Sequence, residues 1–146
     1  MRHISRITTA LIVLMLAGGI SVFAGGSQEA DDTIHVALSA PITGDWSEYG
    51  VNFERSVTMA IDKLNSEGGV LGRQIRLSVG DTKGNPQEAA TLAQKWTSDS
   101  TIVAQIGAFS SSSSMAAQPI FDSAGMVQLS PTASHWRLHS ETTPGV

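Results

Sequence analysis

Apolar residues along this chain repeat with two alternating periods, and the alternation predicts the architecture. Residues 33–39 (TIHVALS) are β-branched and apolar with turn residues after them, which predicts a buried strand. Over residues 48–67 the apolar positions are Tyr49, Phe53, Val57, Ala60, Ile61 and Leu64. Spacings of three and four place them on one buried stripe of a helix. Gly68-Gly69 ends it, because glycine accepts the left-handed conformation of a helix end.

Residues 73–79 alternate around Ile75, Leu77 and Val79, a second strand. A turn over residues 81–85 (DTKGN) follows, and Pro86 suits the first position of a second helix whose buried face is Ala89, Leu92, Ala93 and Trp96. Residues 101–107 (TIVAQIG) predict a third strand. Ala117, Ile120, Phe121 and Ala124 form a third helical stripe, and Pro119 inside it implies either a kink or a late start. Residues 126–129 are a short fourth strand. The order β-α-β-α-β-α-β points to an α/β fold: a parallel sheet with right-handed crossovers and helices on both faces.

The first 24 residues stand apart. Arg2, His3 and Arg6 precede an apolar run at residues 10–17, and Val22 and Ala24 put small residues where a signal peptidase reads. That is the layout of a secretory signal peptide cleaved after Ala24. The alternative is a membrane anchor, but a bilayer needs about 20 mainly apolar residues and this core is shorter and interrupted by Gly18 and Gly19. Residues 25–32 (GGSQEADD) read as a linker, and residues 33–146 as the folded region. Export predicts a periplasmic location.

Composition narrows the chemistry. The absence of cysteine removes a disulfide framework, a thiolate metal site and a cysteine nucleophile. Without Arg2 and Arg6, seven basic residues face thirteen acidic ones, a charge of −6, and the basic residues are dispersed. No nucleic-acid partner is expected.

Ligands of an open parallel sheet gather beyond the carboxyl ends of its strands. The segments arriving there carry no G-x-G-x-x-G, no G-K-[ST] and no G-x-S-x-G, so dinucleotide, phosphate-loop and hydrolase readings lose their support. Asp81 is expected to serve a turn or a cap, and Glu48 to favour a helix N-terminus while Asp45 serves the preceding turn. His135 and His139 have helical metal-ligand spacing without a third ligand near them, so no metal and no cofactor are expected. The serine run at residues 110–114 lies directly between a strand and a helical stripe. There its hydroxyls can cap the helix while hydroxyls and free N–H groups hold a carboxylate or another small anion. Thr132 and Ser134 bring hydroxyls to the same edge after the fourth strand. Tyr49 either lines this half-pocket or simply begins the buried stripe. Nothing in it would attack a ligand, so the expectation is a binding protein and not an enzyme.

Pro41-Ile42-Thr43-Gly44 with Tyr49-Gly50, and the segment Asn65-Ser66-Glu67-Gly68-Gly69-Val70-Leu71-Gly72, resemble the opening of periplasmic leucine/isoleucine/valine-type binding proteins. Asp81 with Asn85-Pro86-Gln87-Glu88-Ala89, Ile106-Gly107 with the serine run, and Leu129-Ser130-Pro131-Thr132-Ala133-Ser134 continue the resemblance in order. It implies a type I periplasmic-binding fold, of which this chain carries the first Rossmann-like lobe, incomplete, without the second. It also implies an extracytoplasmic solute-binding component that delivers an amino acid, an amide or a small organic acid to an inner-membrane ABC permease. A ligand-sensing domain of a receptor is the alternative that shares the fold. By motif, Ser111, Thr132 and Ser134, with Ala133 between them, hold the ligand's carboxylate and backbone. Tyr49 lines the site, and Ser110 and Ser112 are the alternatives if the register slips. Some members carry a disulfide between the turn at Gly84 and the position of Ser110; both cysteines are absent here. The usual acceptor for the ligand's amino group belongs to the second lobe, so residues 25–146 alone are expected to be marginally stable and to bind weakly or not at all.

Overall fold

A computed structural model describes residues 32–139; the expected signal peptide and all but the last residue of the expected linker lie outside them. The run beginning at Thr33 forms β1 (Thr33–Ala40), and its last four residues are buried. It sits inside the sheet because three more strands are recruited around it: β2 (Gln74–Asp81), β3 (Ile102–Ile106) and β4 (Val127–Leu129), in the order β2-β1-β3-β4, all parallel. Between them run α1 (Ser47–Ser66), α2 (Pro86–Thr97) and α3 (Ser111–Ala124), and a short 3-10 turn (Trp136–His139) follows β4. The expected α/β order holds throughout.

Local chemistry sets the boundaries. Asn85 caps α2 by accepting from Gln87 N at 2.7 Å, Pro86 occupies the first turn, and Glu88 and Lys95 complement the dipole at the two ends. Ser110 caps α3, and Gly125 ends it in the left-handed conformation at φ 66°. Pro119 lies well inside α3, which starts at Ser111 and not late. Glu48 falls in the first turn of α1, as expected.

Connections between neighbouring strands decide which face each helix covers. The step β1→β2 runs one way along the sheet, and β2→β3→β4 runs the other. Right-handed crossovers then put α1 on one face, and α2 and α3 together on the opposite one. Ala37, Ala93, Trp96, Ile102, Ala117 and Phe121 form the buried core under α2 and α3, with Leu92, Ile120 and Met126 packed at its border. The expected α2 face is therefore observed, and most of the α3 stripe, with Ala124 exposed.

The α1 stripe differs from expectation. Only Ile61 of its six apolar positions is buried; Phe53 and Val57 are half-buried, and Tyr49, Ala60 and Leu64 are exposed. The helix packs over β1 and β2, and no other described helix covers that face. It is held largely by polar ties. Asn65 accepts from Ile75 N at 2.7 Å and donates to Ile75 O at 2.9 Å, so one side chain pairs with the β2 backbone as a strand would. Gly50 lets the first turn of α1 lie against the end of β1: a Cβ there would sit 2.0 Å from the Pro41 carbonyl oxygen.

Candidate functional site

Each strand leaves the carboxyl edge of the sheet through a junction rich in small polar residues, and the structure binds these junctions to one another. Asp81, the last residue of β2, accepts from Ile42 N at 2.9 Å, Thr43 N at 3.2 Å, the Thr43 hydroxyl at 2.5 Å and Lys83 N at 2.8 Å. Burial pushes its carboxyl up, but the hydrogen bonds from Thr43, Lys83 and Ile42 outweigh that and hold it below the ordinary Asp value. Asp81 thus fixes the β1–α1 loop against the β2–α2 turn, the structural role the missing glycine fingerprint favoured. At the third junction Gly107, with φ 114°, lies so close to β1 that a Cβ would meet the Ser39 carbonyl oxygen at 2.2 Å.

The serine run divides its labour by helical position. Ser110 is the cap: its hydroxyl accepts from Ser113 N at 3.2 Å and lies 3.2 Å from the Ser112 hydroxyl. Ser113 and Ser114 turn inward and are buried. Ser114 Oγ donates to the Ala108 carbonyl at 3.0 Å and sits 3.0 Å from Ser130 Oγ, which also donates to Ala108 O at 3.1 Å. Ser111 faces the rim, and there its Oγ accepts from Ser134 N at 3.2 Å. Thr132 closes the same gap by donating its hydroxyl to Phe109 O at 2.5 Å, and Ala133 between them is buried. Ser112 is exposed on the outer side.

The rim therefore joins Ser110, Ser111, Thr132, Ala133 and Ser134 in one cluster at the N-terminus of α3, where the first backbone N–H groups of a helix have no intrahelical acceptor. Tyr49 reaches the cluster through an aromatic contact: its ring centroid is 5.6 Å from that of Phe109. Being 57% exposed, Tyr49 does not begin a buried stripe. The Ser111 hydroxyl and the helix dipole can hold a carboxylate with neutral donors, and the rings can hold an apolar group beside it.

Reading the sequence passed over Trp46 and Phe109. Trp46 lies 5.9 Å from both Tyr49 and Phe109, ring to ring, and completes a trio. The available signal was an aromatic residue in a polar turn, outside any helical stripe, on a segment that arrives at the carboxyl edge. Ser113 and Ser114, both buried, and the half-buried Ser130 were also missed as supports. Their signal lay in the helical period, since Ser113, Ser114, Ala117 and Phe121 share the inward face of α3.

A small cavity of about 20 Å³ lies behind the rings, lined by Pro41, Trp46, Thr82, Gly84, Phe109, Ser110 and Ser113. That is room for about one water molecule, too little for a molecule of amino-acid size. A larger cavity of about 330 Å³, bordered by Lys95, Ser98 and Asp99, lies toward the amino end of β3, away from the rim. Near that end His35 is buried in a polar network, with Nε2 2.7 Å from Ser78 Oγ and Nδ1 2.9 Å from Thr101 Oγ1. His135 Nδ1 accepts from Arg137 N at 3.2 Å. Among the described residues no three His, Cys, Asp or Glu side chains group as metal ligands, and no helix is long and apolar enough to cross a membrane.

Comparison with known proteins gives five matches. A family model described as a periplasmic binding protein matches residues 33–146. The leucine-, isoleucine-, valine-, threonine-, and alanine-binding protein of Pseudomonas aeruginosa is 34% identical over 127 residues, which are 87% of this chain and 34% of that protein. Leu/Ile/Val-binding protein homolog 1 of Brucella abortus is 30% identical over 76% of this chain and 29% of its own length. Among solved structures, the branched-chain amino acid transporter substrate binding protein of Streptococcus pneumoniae, in complex with isoleucine, superimposes with a TM-score of 0.68. It is 28% identical over 70% of this chain and 30% of its own. The ABC transporter substrate-binding protein of Desulfitobacterium hafniense, in complex with Leu, gives 0.67 at 27% identity, over 76% of this chain and 32% of its own. The chain spans about a third of the length of these relatives.

Proposed function

Since this chain belongs to the periplasmic binding protein family and has its type I α/β fold, we propose that it contributes the first-lobe half of a solute-binding site in an extracytoplasmic component of an ABC importer. The solute is an amino acid or a similar small molecule that carries a carboxylate. The observation that supports this reading best is the bridge from Ser134 N to Ser111 Oγ at 3.2 Å, which joins the α3 N-terminus to the segment after β4. With its lone pair engaged by that N–H, the Ser111 hydroxyl has its proton free to donate outward. A carboxylate at the rim would receive it together with first-turn N–H groups of α3.

Location in the periplasm, through a signal peptide cleaved after Ala24, and docking to an inner-membrane permease are parts of the same proposal. They accord with the relatives' names, which describe binding proteins and transporter substrate-binding proteins. Titration calorimetry of the full-length gene product against a panel of amino acids and small organic acids tests it. At least one carboxylate ligand should bind, and Ser111→Ala should weaken it about tenfold or more, the cost of a hydrogen bond to a charged group. Unchanged affinity in Ser111→Ala would remove the rim from the site.

A further inference from the structure

The cavity toward the amino end of β3 differs from the rim in size and in chemistry. Its volume of about 330 Å³ falls in the range of small-molecule sites, which begins at about 300 Å³. A packed interior leaves few voids larger than a water molecule. Leu92, Trp96 and Ile102 wall it; Trp96 and Ile102 are buried and Leu92 is half-buried. Gly80 seats two of these walls directly on β2, since a Cβ there would meet Leu92 at 2.7 Å and Trp96 at 2.8 Å.

Ser78 borders the same space, and its neighbours decide what its hydroxyl can do. The Arg76 guanidinium has donors only and lies 3.0 Å from His35 Nδ1. Nδ1 therefore accepts, and Thr101 Oγ1, at 2.9 Å, can donate to the same atom. The ring proton is then on Nε2, which donates to Ser78 Oγ at 2.7 Å. With its oxygen so engaged, the Ser78 hydroxyl keeps its own proton to give to a molecule in the cavity. The mouth is electrically balanced. Lys95 and Asp99 carry opposite charges there, and α2 ends beside them with its partly negative carbonyls. A carboxylate gains little at such an opening. We infer that this cavity is a second ligand site, for a small uncharged molecule with an apolar body and a carbonyl oxygen, such as a ketone, ester or lactone, that accepts from Ser78. It lies at the opposite end of the strands from the carboxylate rim and stands apart from that reading.

Acetophenone and benzoate are close in size and share the ring, but the first is neutral and the second charged. Fluorine NMR of the full-length gene product, labelled with 5-fluorotryptophan, reads the site directly, the Trp96 signal being the one missing from Trp96→Phe. Acetophenone should move that signal saturably, with a Kd on the order of 1 mM for so small a molecule. Benzoate should bind there at least about tenfold more weakly, because its charge loses water without gaining a partner. Ser78→Ala should weaken acetophenone about fivefold, the scale of one neutral hydrogen bond. That change also takes a partner from buried His35, so Leu92→Phe, which fills the cavity from its half-buried wall, is the second variant and should abolish the shift. A Trp96 signal that acetophenone leaves in place, a response unaltered by both variants, or benzoate binding as tightly as acetophenone would overturn the site. So would loss of the response in Ser111→Ala, which would place acetophenone at the rim instead.

Discussion

The two faces of the sheet are held by different forces. Under α2 and α3 lies the larger apolar cluster, in which Phe121 and Trp96 pack with Ala37 and Ile102. Under α1 the apolar contact is narrow, centred on Leu38, Ala40 and Ile61, and the fastening is polar: Asp81 at one end of the helix, Asn65 at the other. Beyond α1 no other described helix covers that face. Parallel partners share a face, so Val127 and Leu129, paired with Ala104 and Ile106, stand on the α1 side; they are 64% and 61% exposed. One face therefore draws more of its stability from burial, and the other more from a few hydrogen bonds, of which those to Asp81 depend on charge.

The largest test of that contrast is Phe121→Ala. Removing a fully buried ring costs about 3–5 kcal/mol, a large part of a small domain's whole stability. Urea unfolding should show the transition lost or moved to far lower denaturant. A cost below about 1 kcal/mol would mean that the α2–α3 face is not the tighter of the two.

A second, smaller effect follows from Asp81. Its native carboxyl is held below the ordinary value near 3.8, so its contribution is fully present above that pH and is lost as the pH falls through the depressed native value. Asp81→Asn should therefore cost about 1 kcal/mol at pH 7, the charged hydrogen-bond value discounted for a carboxylate open to solvent, and flatten the acid limb of stability below pH 4. Hydrogen exchange locates the loss. Amides of α1 and the β1–α1 loop should open first on acidification, while those of α2 and α3 stay protected. Equal loss of protection on both faces would dissolve the distinction.

The contrast also explains which parts of the molecule were readable from sequence. Element order follows from alternating periods, which report burial, and burial is what the α2–α3 face uses. Ala89, Ala93, Trp96, Ala117 and Phe121 were legible for that reason. The same rule misjudged α1, because a stripe marks a helix able to bury one face and says nothing of whether the sheet beneath is wide enough to cover it. At the rim, Ser111, Thr132 and Ser134 were legible as small polar residues at strand ends. Trp46 was not, because its partners Tyr49 and Phe109 are brought to it only by the packing of three separate junctions. Gly84 and Ser110 both line the small cavity behind Trp46.

The smallest expected effect concerns the part of the α1 face that no described helix covers. With Leu129 already mostly in water, Leu129→Ser removes little buried area, and at about 25 cal/mol per Å² the cost should stay near 0.5 kcal/mol. Val103, 56% exposed at the irregularity where β3 leaves register with β1, and Val127 belong to the same open strip. An apolar strip of this kind is where another segment or another molecule commonly rests. Measuring Leu129→Ser by urea unfolding, first in residues 25–146 and then in the full-length gene product, separates the two conditions. A near-zero cost in the first and about 2 kcal/mol in the second would show the strip covered by further chain. A large cost already in the first, growing with protein concentration, would show one copy covering another. A small cost in both would leave α1 as the whole cover on its side. The polar ties at Asp81 and Asn65 would then carry nearly all that holds this helix, and with it Tyr49, against the sheet.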